Sequence, residues 1–334
     1  MSDIAVVGGQ AARRDSASVA TADSWRPPDT RRVLQLALAV IWLLDAVLQY
    51  QSFMFTKGFA QMLAGTASGN PRVIASPINW DANLVQHHAV LLNTVFATIQ
   101  LLLALGIACR PTVRVALAAS IGWALGVWWF GEGLGEVLNS AASPVNGAPG
   151  AVIIYALLAV LLWPSDRHAA TAPFAAARAV GAPVARALWL VLWGSLAYFA
   201  LMPGNRAPQA LSSMIAGMAS GEPGWLAALD NHAASLLAHQ GLAASVVLAV
   251  ALGLIAVGVY LPRSAARATL VLAIVLAAVI WIFGEAFGAI LAGGATDPNS
   301  GLLLILLAVT YWPTRTAAAA AVAAERAGAE EATA

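Results

Sequence analysis

The chain has 334 residues, of which 60% are hydrophobic and 10% charged, with a formal net charge of +1 and a mean hydropathy of +0.77. That balance excludes an ordinary soluble domain and points to an all-α, polytopic membrane protein whose surroundings are the lipid bilayer. The near-neutral charge carries no nucleic-acid signal, and the single cysteine, Cys109, excludes an intramolecular disulfide, a Cys-x-x-Cys redox pair and a covalently attached c-type haem.

Residues 1–31 are polar and contain no apolar stretch of the kind a cleavable signal peptide needs, so they read as a disordered cytoplasmic tail. Eight apolar runs follow, at 33–50, 88–109, 113–130, 150–163, 184–202, 236–261, 269–291 and 301–312. The fourth and eighth are short for about 30 Å of hydrocarbon at about 1.5 Å per residue. The domains expected are a first four-span repeat at 32–165, a cytoplasmic linker at 166–183, a second four-span repeat at 184–314 and an Ala-rich cytoplasmic tail at 315–334. With eight spans and both termini inside, the inner segments hold 14 Lys and Arg and the outer ones only Lys57, Arg72 and Arg206. That asymmetry is the one cytoplasmic loops carry, and it fits a multi-pass protein of a bacterial plasma membrane.

The halves repeat each other. Trp128-Trp129-Phe130-Gly131-Glu132-Gly133-Leu134-Gly135 returns as Trp281-Ile282-Phe283-Gly284-Glu285-Ala286-Phe287-Gly288, a shared W-x-F-G-E-x-x-G. Met62 to Pro71 is echoed by Met214 to Pro223 with seven of ten residues identical, and His88 and His239 each precede a proline by 23 residues. Trp163-Pro164 and Trp312-Pro313 close the fourth and eighth runs. An internal duplication of about 150 residues follows. Four spans per half is an even number, so the repeats are parallel and equivalent residues share a depth.

Carboxylates in apolar runs are costly, and each motif carries one. Glu132 and Glu285 lie 18 residues beyond Arg114 and Arg267, about 27 Å from the cytoplasmic edge, level with His88 and His239 on an outer shelf. Imidazole with carboxylate suits a transition metal, with His88 and His239 as its ligands, or a proton-handling pair. The structural alternative is that each Glu bonds backbone groups where its helix loosens and each His caps a helix start. Asp45, about 12 residues beyond the inner end of the first run, sits deeper and has no acid as its counterpart. It is the best candidate for a proton or ion site, or else it bonds a neighbouring helix. Asp297-Pro298-Asn299-Ser300 reads as a turn and N-cap, and the Met62 and Met214 segments as short small-residue helices at the outer interface.

The layout of each half resembles the DoxX-like four-helix membrane proteins. The likeness rests on Phe-Thr-Lys-Gly-Phe-Ala at 55–60 after the first run, a Pro-containing outer loop, and a second run ending at Cys109-Arg110-Pro111; the second half has Arg206-Ala207-Pro208 in place of Lys-Gly-Phe. The whole chain also resembles a group of tandem-duplicated actinobacterial integral membrane proteins with Trp-x-x-Gly-Glu-Gly and Trp-Pro motifs. The resemblance implies a redox-associated membrane subunit, beside another oxidoreductase subunit, with a quinone, haem or transition metal near the outer face. A transporter or ion pathway between the repeats, or a membrane scaffold or assembly factor, are the alternatives the residues leave open.

Overall fold

The computed structural model describes residues 29–138 and 142–314, so the two expected tails lie outside the described residues apart from 29–31. Every regular element among the described residues is helical. α1 (Thr30–Leu48) leads to α2 (Lys57–Gly65), the long α3 (Arg72–Ala108), α4 (Val113–Phe130) and the short α5 (Ala151–Leu161). After the one-turn α6 (Ala177–Val180) come α7 (Ala182–Ala200), α8 (Ala210–Met218), α9 (Gly224–Leu237), α10 (Gly241–Gly258), α11 (Arg263–Val279) and α12 (Asn299–Thr310).

Five helical stretches are long and apolar enough to cross a membrane: α3, α4, α7, α10 and the continuous Arg263–Ala292 that contains α11. Their outward faces are aliphatic, as Val90 and Leu91 on α3, Val115 on α4, Val191 on α7 and Val247 on α10 are all more than half exposed. A soluble protein rarely presents such continuous apolar surface. α5 and α12 are different. Each is too short to cross alone, and both are enclosed: Ile154, Tyr155 and Leu158 on α5 and Leu303, Leu307 and Ala308 on α12 have no exposed surface.

The packing explains that enclosure. α1 packs on α3, α3 on α4 and α4 on α5, while α7 packs on α10, α10 on α11 and α11 on α12. α5 then packs on α12, so the two short helices form the centre of one continuous core that runs from Trp42 through Tyr155 to Trp189, Trp193 and Tyr311.

Arginines close one end of the bundle. Arg31 donates to Ser165 O at 2.8 Å and to Asp166 Oδ1 at 3.0 Å, and Arg178 donates to the same Asp166 oxygen at 2.8 Å and to Asp29 at 2.5 Å. Arg32 reaches Ile107 O at 2.9 Å and Arg114 reaches Pro164 O at 3.3 Å. These cations meet carbonyls that helix C-termini leave unpaired.

One expectation changes. The segment 166–183 is no free linker: Phe174, Ala175, Ala176 and Ala177 are buried, and Ala176 N donates to Thr310 O. The stretches before the second and sixth runs, which the apolar pattern leaves unassigned, are helix, the first half of α3 and all of α9. Their polar residues, such as Asp81 and Asp230, masked the helical pattern in sequence.

Candidate functional site

The doubled W-x-F-G-E-x-x-G has a mechanical explanation, because in both copies it sews the end of one long helix to the start of a short one. α4 closes with a widened turn in which Glu132 N donates to Val127 O at 3.0 Å, and Glu285 N does the same to Ile280 O at 3.0 Å. This i to i+5 bond is a π-type turn, a feature frequent at functional sites. Four consecutive residues then have positive φ: Gly133, Leu134, Gly135 and Glu136 in one half, and Ala286, Phe287, Gly288 and Ala289 in the other. Non-glycine residues in that conformation each cost about 1–2 kcal/mol, so close contacts must hold them there.

The motif residues make those contacts. Trp128 Nε1 donates to Pro149 O at 2.7 Å, and Trp281 Nε1 to Pro298 O at 2.8 Å. The glycine closing the motif is required at this approach: a Cβ on Gly135 would stand 1.9 Å from Pro149 O, and one on Gly288 2.6 Å from Pro298 C. The glutamate reaches the first turn of the next helix. Glu132 Oε1 accepts from Val152 N at 3.2 Å, and Glu285 accepts from Gly301 N at 2.9 Å and from the Ser300 hydroxyl. A carboxylate at a helix N-terminus satisfies orphan N–H groups and the helix dipole.

The two glutamates differ in what remains. Both oxygens of Glu285 are bonded and the side chain is 1% exposed. Glu132 Oε2 is buried with no hydrogen-bond partner among the described residues.

Neither histidine joins them. His88 sits at a break inside α3, with φ −131° and ψ 35°, and His239 sits between α9 and α10 with φ +65°. Both are exposed, and His239 bonds the Gln209 side chain at 3.0 Å. Each marks the joint between an outer helix and the long helix below it, a position where histidine tolerates unusual backbone angles. Among the described residues no three His, Cys, Asp or Glu side chains gather as a metal-binding group.

Asp45 and Glu132 do come together. Both line one cavity of about 320 Å³ bounded by α1, α2, α3, α4 and the start of α5. Sequence counting sets Asp45 deeper than Glu132, but α5 is short and Glu132 bends inward to its N-terminus. Arg31 and Arg114 both bond the Pro164–Ser165 carbonyls, which fixes a common level. Asp45 lies 14 residues above it on α1 and Val152 lies 12 residues above it on α5, about 21 Å and about 18 Å respectively. Asp45 is 1% exposed; its Oδ2 accepts from Tyr155 at 2.6 Å, and its Oδ1 has no partner.

Sequence reasoning missed three contributors. Gln49 and Gln100 line the cavity, each with a buried and unpartnered Oε1. Asp297 arrives from the loop before α12 and borders the same space. It also makes the expected turn, accepting from Asn299 N at 2.8 Å and from Thr296 Oγ1 at 2.7 Å. The available signal was a polar residue inside an apolar run: Gln100 and Asn93 are the two side-chain amides in 88–109. Aromatic walls complete the site, with Trp42, Trp123, Phe96 and Phe130 among them, and no Lys, Arg or His lines it. The cavity therefore has no imidazole to hold a haem iron or a metal. Gly122 and Gly126, one helical turn apart on α4, also line it, and an added Cβ on either would meet nothing within 4 Å.

A second cavity of about 500 Å³ lies among α8, α9, α10 and α11, lined almost wholly by apolar side chains including Ile215, Leu248, Leu276 and Phe283. Val145, from the loop before α5, lines it. Each of the two loops thus contributes to the other half's cavity.

Among the described residues these features define an all-helical protein with five helices long and apolar enough to cross a membrane and an acidic, aromatic cavity. Comparisons of the chain with protein-family models, characterised proteins and solved structures find no match.

Proposed function

We propose that this is an eight-span integral membrane protein of two parallel four-span repeats, with both termini cytoplasmic, that binds a solute in the first repeat as a transporter or ion pathway. The five long helices, α1 and the two enclosed short helices supply the eight spans. The duplication draws support from the paired Trp-to-Pro bonds, glutamate caps and left-handed turns. The observation that carries the function is Asp45, an acid on α1 with 1% exposure that lines one cavity with Glu132 and Asp297. A buried intramembrane acid is costly unless a ligand or proton uses it.

The test is reconstitution in proteoliposomes with a pH-sensitive dye inside. A solute gradient is expected to move protons through the wild-type protein and not through a folded Asp45→Asn variant; identical traces for the two would end the transport reading. The redox-subunit reading retains one specific support. The indole N–H groups of Trp42 and Trp123 are buried without partners and suit the carbonyls of a quinone ring. Solvent extraction of purified protein decides it: stoichiometric quinone favours the redox subunit, and its absence favours the solute site.

A further inference from the structure

We propose that the cavity takes a small organic ammonium ion, whose N–H groups donate to Asp45, Glu132 and Gln100 while its carbon skeleton lies against Trp123 and Phe96. This rests on the reading of the cavity as a solute site and adds the chemistry of the solute.

Hydrogen-bond bookkeeping selects the class. Four buried acceptor atoms without partners belong to residues of this one cavity: Asp45 Oδ1, Gln49 Oε1, Gln100 Oε1 and Glu132 Oε2. Among equally buried atoms, the donors without partners beside them are the indole N–H groups of Trp42 and Trp123. An enclosed acceptor left unmet is expensive, so the surplus calls for an occupant rich in N–H donors. Charge points the same way, because Asp45, Glu132 and Asp297 border the space and no cationic side chain does. The aromatic faces favour a cation that also carries apolar surface.

Size separates this occupant from a bare ion. The volume of about 320 Å³ is about ten times the share of one water molecule in the liquid, and it falls at the small end of organic ligand sites. Among the described residues no metal-ligating group of three is present.

The second cavity supplies a contrast. Counting from Pro111 and Pro262, Gln100 falls in register with Ala251, and counting from the two motif glutamates, Trp123 falls in register with Leu276. Both replacements line the apolar cavity. Gln100 and Trp123 thus have no polar counterpart in the second cavity, which argues that they serve a ligand in the first and not the shared architecture.

The experiment uses the full chain in lipid nanodiscs, with binding of phenethylammonium, neutral 2-phenylethanol and a short-chain quinone read by calorimetry and tryptophan fluorescence. The ammonium ion is expected to bind at least tenfold more tightly than the alcohol, and Asp45→Asn to weaken it tenfold or more. Gly126→Leu, which fills the cavity on a helix that tolerates the larger residue, is expected to abolish binding with an unchanged melting temperature. Ala251→Leu, which fills the other cavity, is expected to leave it unchanged. Equal binding of ammonium and alcohol, or ammonium binding that survives Gly126→Leu, overturns the proposal. If the quinone or alcohol binds and Gly126→Leu blocks it, the cavity remains a ligand site and only the cation chemistry falls. If none of the three binds and Gly126→Leu transports like wild type, the solute-site reading falls as well.

Discussion

Glu132 and Glu285 occupy the same place in one motif, yet they divide a structural duty from a chemical one. Glu285 spends both oxygens on the start of α12. Replacing it with Ala removes hydrogen bonds to a buried N–H and a buried hydroxyl, and the melting curve of the purified protein is expected to register a loss of about 1–3 kcal/mol. Glu132→Gln keeps an amide oxygen for Val152 N, so its melting is expected to change by less than about 1 kcal/mol while ligand affinity drops. Equal thermal effects of Glu285→Ala and Glu132→Gln would contradict this division. The sequence made both glutamates conspicuous, but their partners were not legible in it. Both carboxylates cap the next helix, and what separates them is that Glu132 also borders the cavity, a difference with no spelling in the sequence. Asp45 was legible because nothing in the second half answers it. Asp297 was read as a turn former, which it is, and its second role depends on a contact across the molecule.

Among the elements, apolar runs translate directly into helices wherever the run is continuous: 113–130 is α4 to the residue, and 184–202 differs from α7 by two. The outer helices escaped because Trp80, Asp81 and Pro77 interrupt the pattern that α3 nevertheless continues through. The two ends of the bundle also differ in electrostatics. Near α6, the Arg31 guanidinium that donates to Asp166, aided by Arg178, holds that carboxyl below the usual carboxylate range. Its contribution is present above the unfolded value of about 3.9 and is lost as pH falls through the lowered folded value. Near α9, burial raises Asp230, and burial together with the neighbouring Asp230 raises Glu222. Their contribution is present below the unfolded values of about 4 and is lost as pH rises through the folded ones. Amide exchange corrected for intrinsic rates is therefore expected to show residues 166–181 loosening on acidification and α9 loosening as pH rises above the ordinary carboxylate range. Parallel behaviour of the two regions would refute the assignment.

At the scale of the whole molecule, the halves are interlocked by the loops they lend each other. Asp297→Ala changes a residue 252 positions after Asp45, yet it is expected to weaken ligand binding at the first cavity several-fold, because the two residues border one space. Affinity equal to wild type would remove Asp297 from the site. The orientation has a built-in reporter in Cys109, the single cysteine, which is exposed beside Arg110 at the end of α3. A membrane-impermeant maleimide is expected to label it in inside-out vesicles and not in intact cells, and the reverse pattern would invert the topology. The doubling visible in the sequence described the scaffold well and the site poorly, since Asp45, Gln100 and Trp123, which line the cavity beside the duplicated Glu132, have no polar counterpart in the second half.

The enclosed pair α5 and α12 bears on how the chain is made. With 11 and 12 residues, they rise about 17 and 18 Å, too little for either to be recognised on its own by the insertion machinery. On the eight-span proposal, each would enter the bilayer as the second arm of a hairpin whose first arm is α4 or α11. The tryptophan-to-proline clasp and the glutamate cap are the contacts that close those hairpins.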